Sequence, residues 1–145
     1  MNYKIIDLKS NESENALLIA CEKNQNCPFE IKRIFYIYNT NNECIRGNHA
    51  NKNSQFLFIM MNGSCKIKID DGKSTEIINL KEKHKALYID KMIWKQMYDF
   101  SKDAILLVLT NTHYDKNEYI KDYEEFKKLM GGGVREFLNP YSKVA

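Results

Sequence analysis

The chain has 145 residues, 43% hydrophobic and 28% charged. That is enough for one hydrophobic core and short for two. No stretch approaches the roughly 18 apolar residues of a membrane span, and the first residues lack the apolar run of a secretory leader, so a cytoplasmic protein is expected. Lys and Arg exceed Asp and Glu by three, scattered without a basic block. That balance argues against nucleic-acid binding but suits a small anion such as a diphosphate.

In chain order, strands are expected at 3–7 and 16–22, with the polar segment 9–15 as a loop between them. Short runs rich in β-branched and aromatic residues then predict strands at 31–38, 55–61, 64–70, 74–80, 86–90 and 104–110. Asn62-Gly63 and Asp71-Gly72 supply the positive φ of two-residue hairpin turns. Phe56 to Met61 is continuously apolar, as in a strand covered on both faces, whereas Cys65 to Asp70 alternates in polarity. So many short strands predict a mainly β fold, an antiparallel barrel or two-sheet jelly roll.

After Thr110 the pattern changes. Asp115 and Glu118 resemble a capping box, and Tyr119, Tyr123, Phe126 and Met130 recur at helical spacing, which predicts a C-terminal α-helix packed by its tyrosines. Gly131-Gly132-Gly133 ends it. One domain is expected over 1–130, followed by a tail over 131–145. Cys21, Cys27, Cys44 and Cys65 form no CxxC pair and have no histidine at zinc-finger spacing, so free thiols are expected.

The segment that points to chemistry is Arg46-Gly47-Asn48-His49-Ala50-Asn51-Lys52, followed by Gln55. The glycine permits close backbone approach, an arginine precedes the histidine by three residues, and His49 and Asn51 share one face of an extended segment. At the mouth of a barrel that face would surround one small ligand with an imidazole and an amide. A metal-binding reading fits poorly. One imidazole with the amides of Asn51 and Gln55, and with Lys95 and Gln96 after Trp94 where a further histidine would be needed, is a weak donor set, so no metal and no other cofactor is expected.

From Ile31 to Leu129 the chain resembles the bacterial nucleotide-sugar 3,4-ketoisomerases of the cupin superfamily. The resemblance rests on Arg33-Ile34-Phe35-Tyr36-Ile37-Tyr38, Arg46-Gly47-Asn48-His49-Ala50, Asn62-Gly63-Ser64-Cys65, Asp70-Asp71-Gly72, Trp94 with Met97 and Asp99-Phe100, and Tyr114-Asp115 through Tyr119 to Tyr123. It implies a cupin-type fold and a dTDP-4-keto-6-deoxyhexose substrate, isomerised in making 3-amino-3,6-dideoxy sugars of the kind found in lipopolysaccharide O-antigens. It also implies a homodimer with exchanged N-terminal strands, and places Tyr36 at the site. The family usually has a second histidine where Asn51 stands, and an amide cannot accept a proton near neutral pH.

Moving a ketone from C4 to C3 requires removal of the C3 proton, an enediol, and protonation at C4. His49 is the expected acid and base, and Arg46 the expected stabiliser of the enolate oxygen. Tyr36 is the expected proton relay, with Tyr38 on the same strand face. Arg33 and Lys66 are the expected diphosphate partners. Trp94 either lines the sugar pocket or belongs to the core, and Asp99 either bonds within the site or begins a turn. Either C4 configuration of the product, galacto or gluco, is compatible with this chemistry. Two other functions remain open: a 3,5-epimerase, which also removes a proton beside the C4 ketone, and a non-catalytic sugar-nucleotide-binding cupin in which Asn51 marks lost chemistry.

Overall fold

The computed structural model describes residues 1–41, 43–131 and 140–141. Among these, two five-stranded antiparallel sheets pack face to face as a jelly roll. The first sheet runs β1 (Tyr3–Asp7), β9 (Lys85–Ile89), β6 (Phe56–Asn62), β11 (Ile105–Thr110), β4 (Arg33–Tyr38). The second runs β12 (Tyr119–Ile120), β5 (Arg46–Asn51), β10 (Trp94–Tyr98), β7 (Cys65–Asp70), β8 (Thr75–Leu80). A hairpin of β2 (Ser10–Ser13) and β3 (Ala16–Ile19) stands apart from both.

Strand alternation decides what each face buries. Phe56, Phe58 and Met60 of β6 join Ile67 and Ile69 of β7, Leu87 and Ile89 of β9, and Leu106 and Val108 of β11 between the sheets. The opposite face of β6, Leu57 and Ile59, is covered by Cys27 and Phe29 with Leu8 and Tyr88. From Phe56 to Met60 the strand is therefore apolar because it is buried on both sides, as its sequence predicts, while Met61 emerges to solvent. On β7 the inward residues alternate with the half-exposed Lys66 and Lys68.

Several expected elements take a different form. The segment 9–15 is not a loop: Ser10–Ser13 pairs with Ala16–Ile19 around Glu14 and Asn15, both at positive φ. Asn62-Gly63 does not close a hairpin, because β6 and β7 lie in different sheets; the dipeptide turns the corner between them, held by Asn62 Nδ2 donating to the Asp103 carbonyl at 3.0 Å. Asp71-Gly72 does begin a hairpin, but with a four-residue loop in which the Asp71 carboxylate accepts from the backbone N–H of Lys73 and Ser74 at 2.9 and 2.8 Å.

The C-terminal helix is shorter than its periodicity suggests. Asp115 caps only a 3-10 turn, Lys116–Glu118, and Tyr119 then enters β12. The helix α1 (Tyr123–Leu129) starts at its own cap, Asp122, whose side chain accepts from Glu124 N–H at 2.9 Å. It seals the outer face of the second sheet by burying Phe126 against Ala50, Trp94 and Ile120. The stop at Gly131 is present at φ +68, whereas Gly132, Gly133 and the tail apart from Pro140 and Tyr141 lie outside the described residues.

Candidate active site

The Arg46–Asn51 segment is a strand, β5, and it is irregular. Opposite β10 the register jumps: Lys95 faces His49 while Gln96 faces Gly47, so Asn48 is an extra residue. Gly47 and Asn48 take φ +80 and +62 to accommodate it. A side chain at 47 would begin 3.0 Å from the Lys95 carbonyl oxygen and 3.1 Å from Met97 Sδ, so the close approach this glycine allows is to β10. The bulge has a chemical result. In a regular strand residues three apart face opposite sides, but here Arg46 and His49 both open into one cavity of about 400 Å³ between the sheets. Arg33, Lys95, Tyr114 and Tyr119 also line it, over a floor of Phe56, Phe58 and Met97.

His49 Nδ1 lies 2.9 Å from the Gly47 carbonyl, which can only accept; the proton is therefore on Nδ1 and the Nε2 lone pair is free. Tyr119 holds the imidazole, ring centroids 4.6 Å apart. Burial, and after it the Lys95 charge, lowers the His49 pKa from 6.5 to about 3. The result is a neutral base in a largely enclosed setting.

Behind it lies a buried polar chain. Lys95, 2% exposed, donates from Nζ to Asn51 Oδ1 at 2.6 Å, and Asn51 Nδ2 donates to Glu118 Oε1 at 2.8 Å. Glu118 also accepts from Asn53 N–H at 2.9 Å and from the Ser54 hydroxyl, which meets Thr112. Burial lowers the Lys95 ammonium from 10.5 to about 7, against the pull of Glu118. Asn51 thus uses both ends of its amide to separate a buried cation from a buried carboxylate.

The structure brings together His49, Arg46 and Arg33, with Asn51 one step behind the cavity wall. Arg33 stacks its guanidinium over Phe35 and Tyr114, 4.8 and 5.2 Å from the ring centroids, which leaves its edge for an anion. Tyr36 and Tyr38 do share a face, but it is the outward face of β4, opposite Arg33, Phe35 and Ile37; both rings are 64% exposed. Tyr36 nevertheless lines the cavity together with Arg33, Phe35 and Ile37, whereas Tyr38 does not.

Four other expected residues lie elsewhere. Gln55 turns to the outer cluster, its Oε1 accepting from Tyr88 O–H at 3.3 Å. Trp94 faces the helix side of the second sheet, edge-on to Tyr123 at 5.2 Å, and is core. Lys66 and Asp99 pair with each other at 3.2 Å on the outer surface, and Asp99 sits in a turn at φ +51.

The sequence assigns none of Lys95, Glu118, Tyr114 and Tyr119 to the site. The local signal for Tyr119 pointed to a helix, and nothing around Lys95 announces burial, since its partner Asn51 is 44 residues away.

The chain matches the family described as FdtA: WxcM-like, C-terminal, over residues 1–131. It is 39% identical over 130 residues to a TDP-4-oxo-6-deoxy-alpha-D-glucose-3,4-oxoisomerase of Aneurinibacillus thermoaerophilus, covering 90% of this chain and 94% of that one. Among solved structures, WlaRA, a TDP-fucose-3,4-ketoisomerase of Campylobacter jejuni, superimposes with a TM-score of 0.88 at 62% identity, over 90% of this chain and 96% of its own. QdtA, a sugar 3,4-ketoisomerase of Thermoanaerobacterium thermosaccharolyticum solved in complex with TDP, gives 0.86 at 32% identity, over 90% and 95%. A cup between two sheets, a neutral imidazole inside it and this continuous similarity lead to one assignment: the chain belongs to the FdtA-type family of sugar-nucleotide 3,4-ketoisomerases, built on the cupin-type jelly roll.

Proposed function

We propose that this enzyme moves the keto group of TDP-4-keto-6-deoxyglucose from C4 to C3 through an enediol, giving the galacto-configured 3-keto sugar. The observation that carries the reading is the His49 imidazole, proton on Nδ1 and lone pair on Nε2, in a cavity walled by Arg33, Arg46 and Lys95. Those cations favour an enolate and a diphosphate. They equally disfavour a metal ion beside His49, so the chemistry runs without one. The galacto configuration is supported by the 62% identity to a TDP-fucose ketoisomerase, fucose being 6-deoxygalactose.

The product feeds amino-dideoxy sugars to O-antigen assembly in the cytoplasm, a setting that suits four free cysteines. No described helix is long and apolar enough to cross a membrane.

Incubation with TDP-4-keto-6-deoxyglucose followed by NMR tests the reading. The expected product has a C3 ketone and an axial C4 hydroxyl. Inversion at C3 or C5 with the ketone still at C4 means an epimerase, and unchanged substrate with measurable TDP binding means a binding protein.

The enzyme works as a homodimer with exchanged N-terminal strands. Two features support this. Among the described residues, strand β4 is an unpaired sheet edge whose outer face exposes Ile34, Tyr36 and Tyr38. The β2–β3 hairpin pairs with neither sheet and leaves Leu17 and Leu18 72% and 61% exposed, although two strands alone are marginal in water. Sedimentation at micromolar concentration is expected to give twice the chain mass; a monomer excludes the exchange.

A further inference from the structure

Proton transfer in this reaction involves two kinds of atom. A base must carry hydrogen between C3 and C4, and some group must supply and remove protons at the two oxygens. His49 can serve the carbons. Asn51 cannot serve the oxygens, because its amide neither gives nor takes a proton near neutral pH and both of its ends are already committed to Lys95 and Glu118.

Lys95 stands directly opposite His49 in the β5–β10 ladder, on the same face, and lines the same cavity. Its ammonium sits 4.1 Å from the Phe56 ring centroid and donates to Asn51, which leaves donor hydrogens for the cavity. Among the described residues no carboxylate touches it directly; Glu118 acts through Asn51. A directly paired ammonium would be locked in its charged form, whereas this one is held in place by an amide and remains free to lose its proton.

We propose that Lys95 is the oxygen-side acid and base of the isomerisation, with Asn51 and Glu118 as the positioning residues that hold it opposite His49. This rests on the ketoisomerase reading. In the first half, His49 Nε2 removes the C3 hydrogen as a proton, the C3–H electrons form the C3–C4 double bond, and the carbonyl oxygen at C4 takes a proton from the Lys95 ammonium. The site then holds a neutral enediol, an imidazolium and a neutral amine. In the second half the amine takes the proton from the C3 hydroxyl, the C3 ketone forms, and the imidazolium returns its proton to C4. Both side chains end as they began, and no outside oxidant is needed.

A stereochemical result follows. One imidazole working from one wall returns the proton to the ring face from which it came. The C3 hydrogen of a gluco sugar and the C4 hydrogen of a galacto sugar lie on that same face, so a single shuttling base yields galacto. The charged or titratable side chains that share the cavity with the ammonium are His49, Arg33, Arg46, Tyr36, Tyr114 and Tyr119, with Glu118 behind Asn51. With its pKa lowered to about 7, Lys95 carries the needed proton below that pH and loses it above, so kcat/KM should fall as pH rises past neutrality.

The test compares wild type, Lys95→Met and Lys95→Arg on TDP-4-keto-6-deoxyglucose in H2O and D2O, with TDP affinity as the fold control. Both variants are expected to bind TDP within about threefold of wild type and to isomerise at least about 100-fold more slowly. Lys95→Arg keeps a cation for the enolate but cannot cycle a proton, so it should still wash solvent deuterium into C3 while the ketone stays at C4, with no decline above pH 7. Wild-type turnover with Lys95→Met within fivefold of it overturns the role of Lys95 alone. So does joint loss of deuterium exchange, isomerisation and TDP binding in both variants, which marks a purely structural lysine. A wild-type protein that leaves the substrate unchanged overturns the ketoisomerase reading itself.

Discussion

His49→Gln is expected to lower kcat by about 10²–10⁴ while TDP affinity changes only a few-fold. Glutamine nearly fills the space of the imidazole and keeps a polar end, so the fold and the cationic walls of the cavity persist; what disappears is the group that accepts and returns a proton. A second signature comes from pH. Because burial holds His49 neutral down to about 3, wild-type kcat/KM should show no acid limb near 6.5. The same depression is linked to stability. Between about 6.5 and 3 the unfolded chain binds a proton at this ring that the native protein refuses, so native stability falls as pH drops through that window. His49→Gln should lose stability less steeply over the same range, as read by urea unfolding at several pH values. A variant with wild-type kcat would move the carbon base to another residue.

Glu118→Ala is the largest expected loss of stability. The carboxylate is 4% exposed and accepts from the Asn51 amide, the Asn53 backbone and the Ser54 hydroxyl. Alanine would leave those donors unmatched and Lys95 a buried cation without its counter-charge. Removal of one partner of such a system costs about 3–5 kcal/mol, which for a chain of this length lowers Tm by roughly 10 °C or more. Glu118→Gln keeps acceptor capacity on one side and should lose about half as much. The loss of Glu118 also lets the Lys95 pKa fall further, since this carboxylate is what holds it up. Differential scanning calorimetry checks the first part, and a Tm for Glu118→Ala within 2 °C of wild type, well below the roughly 10 °C expected, would mean the network contributes little.

The fold was readable wherever local chemistry decides it. The two-sided burial of β6, the alternation of β7 and the parity that puts His49 and Asn51 on one face all follow from residues in immediate succession. The less legible parts depend on partners distant in sequence. Strand β10 reads Trp94-Lys95-Gln96-Met97-Tyr98, with neither alternation nor an apolar run, yet every residue in it is buried. Its outward Trp94 is covered by α1 and its inward Lys95 by Asn51 and Phe56. Tyr119 fits a helical stripe by spacing, and only pairing with Asn51 across β5 pulls it into a sheet and onto the imidazole. Tyr36 shows the reverse. Resemblance places it at the site, and the structure keeps it on the cavity lining although its position on β4 leaves most of the residue exposed.

The Lys95–Asn51–Glu118 chain stitches β5, β10 and the turn before β12 together with the same atoms that hold an acid in place. Refilling those three positions with hydrocarbon of matching volume would often be neutral for a fold, or strengthen it by about 1–4 kcal/mol. Such a protein would be sturdier and inert. Robustness and turnover therefore compete for the same three side chains, and any search for heat-resistant variants that scores survival alone would drift toward discarding the chemistry.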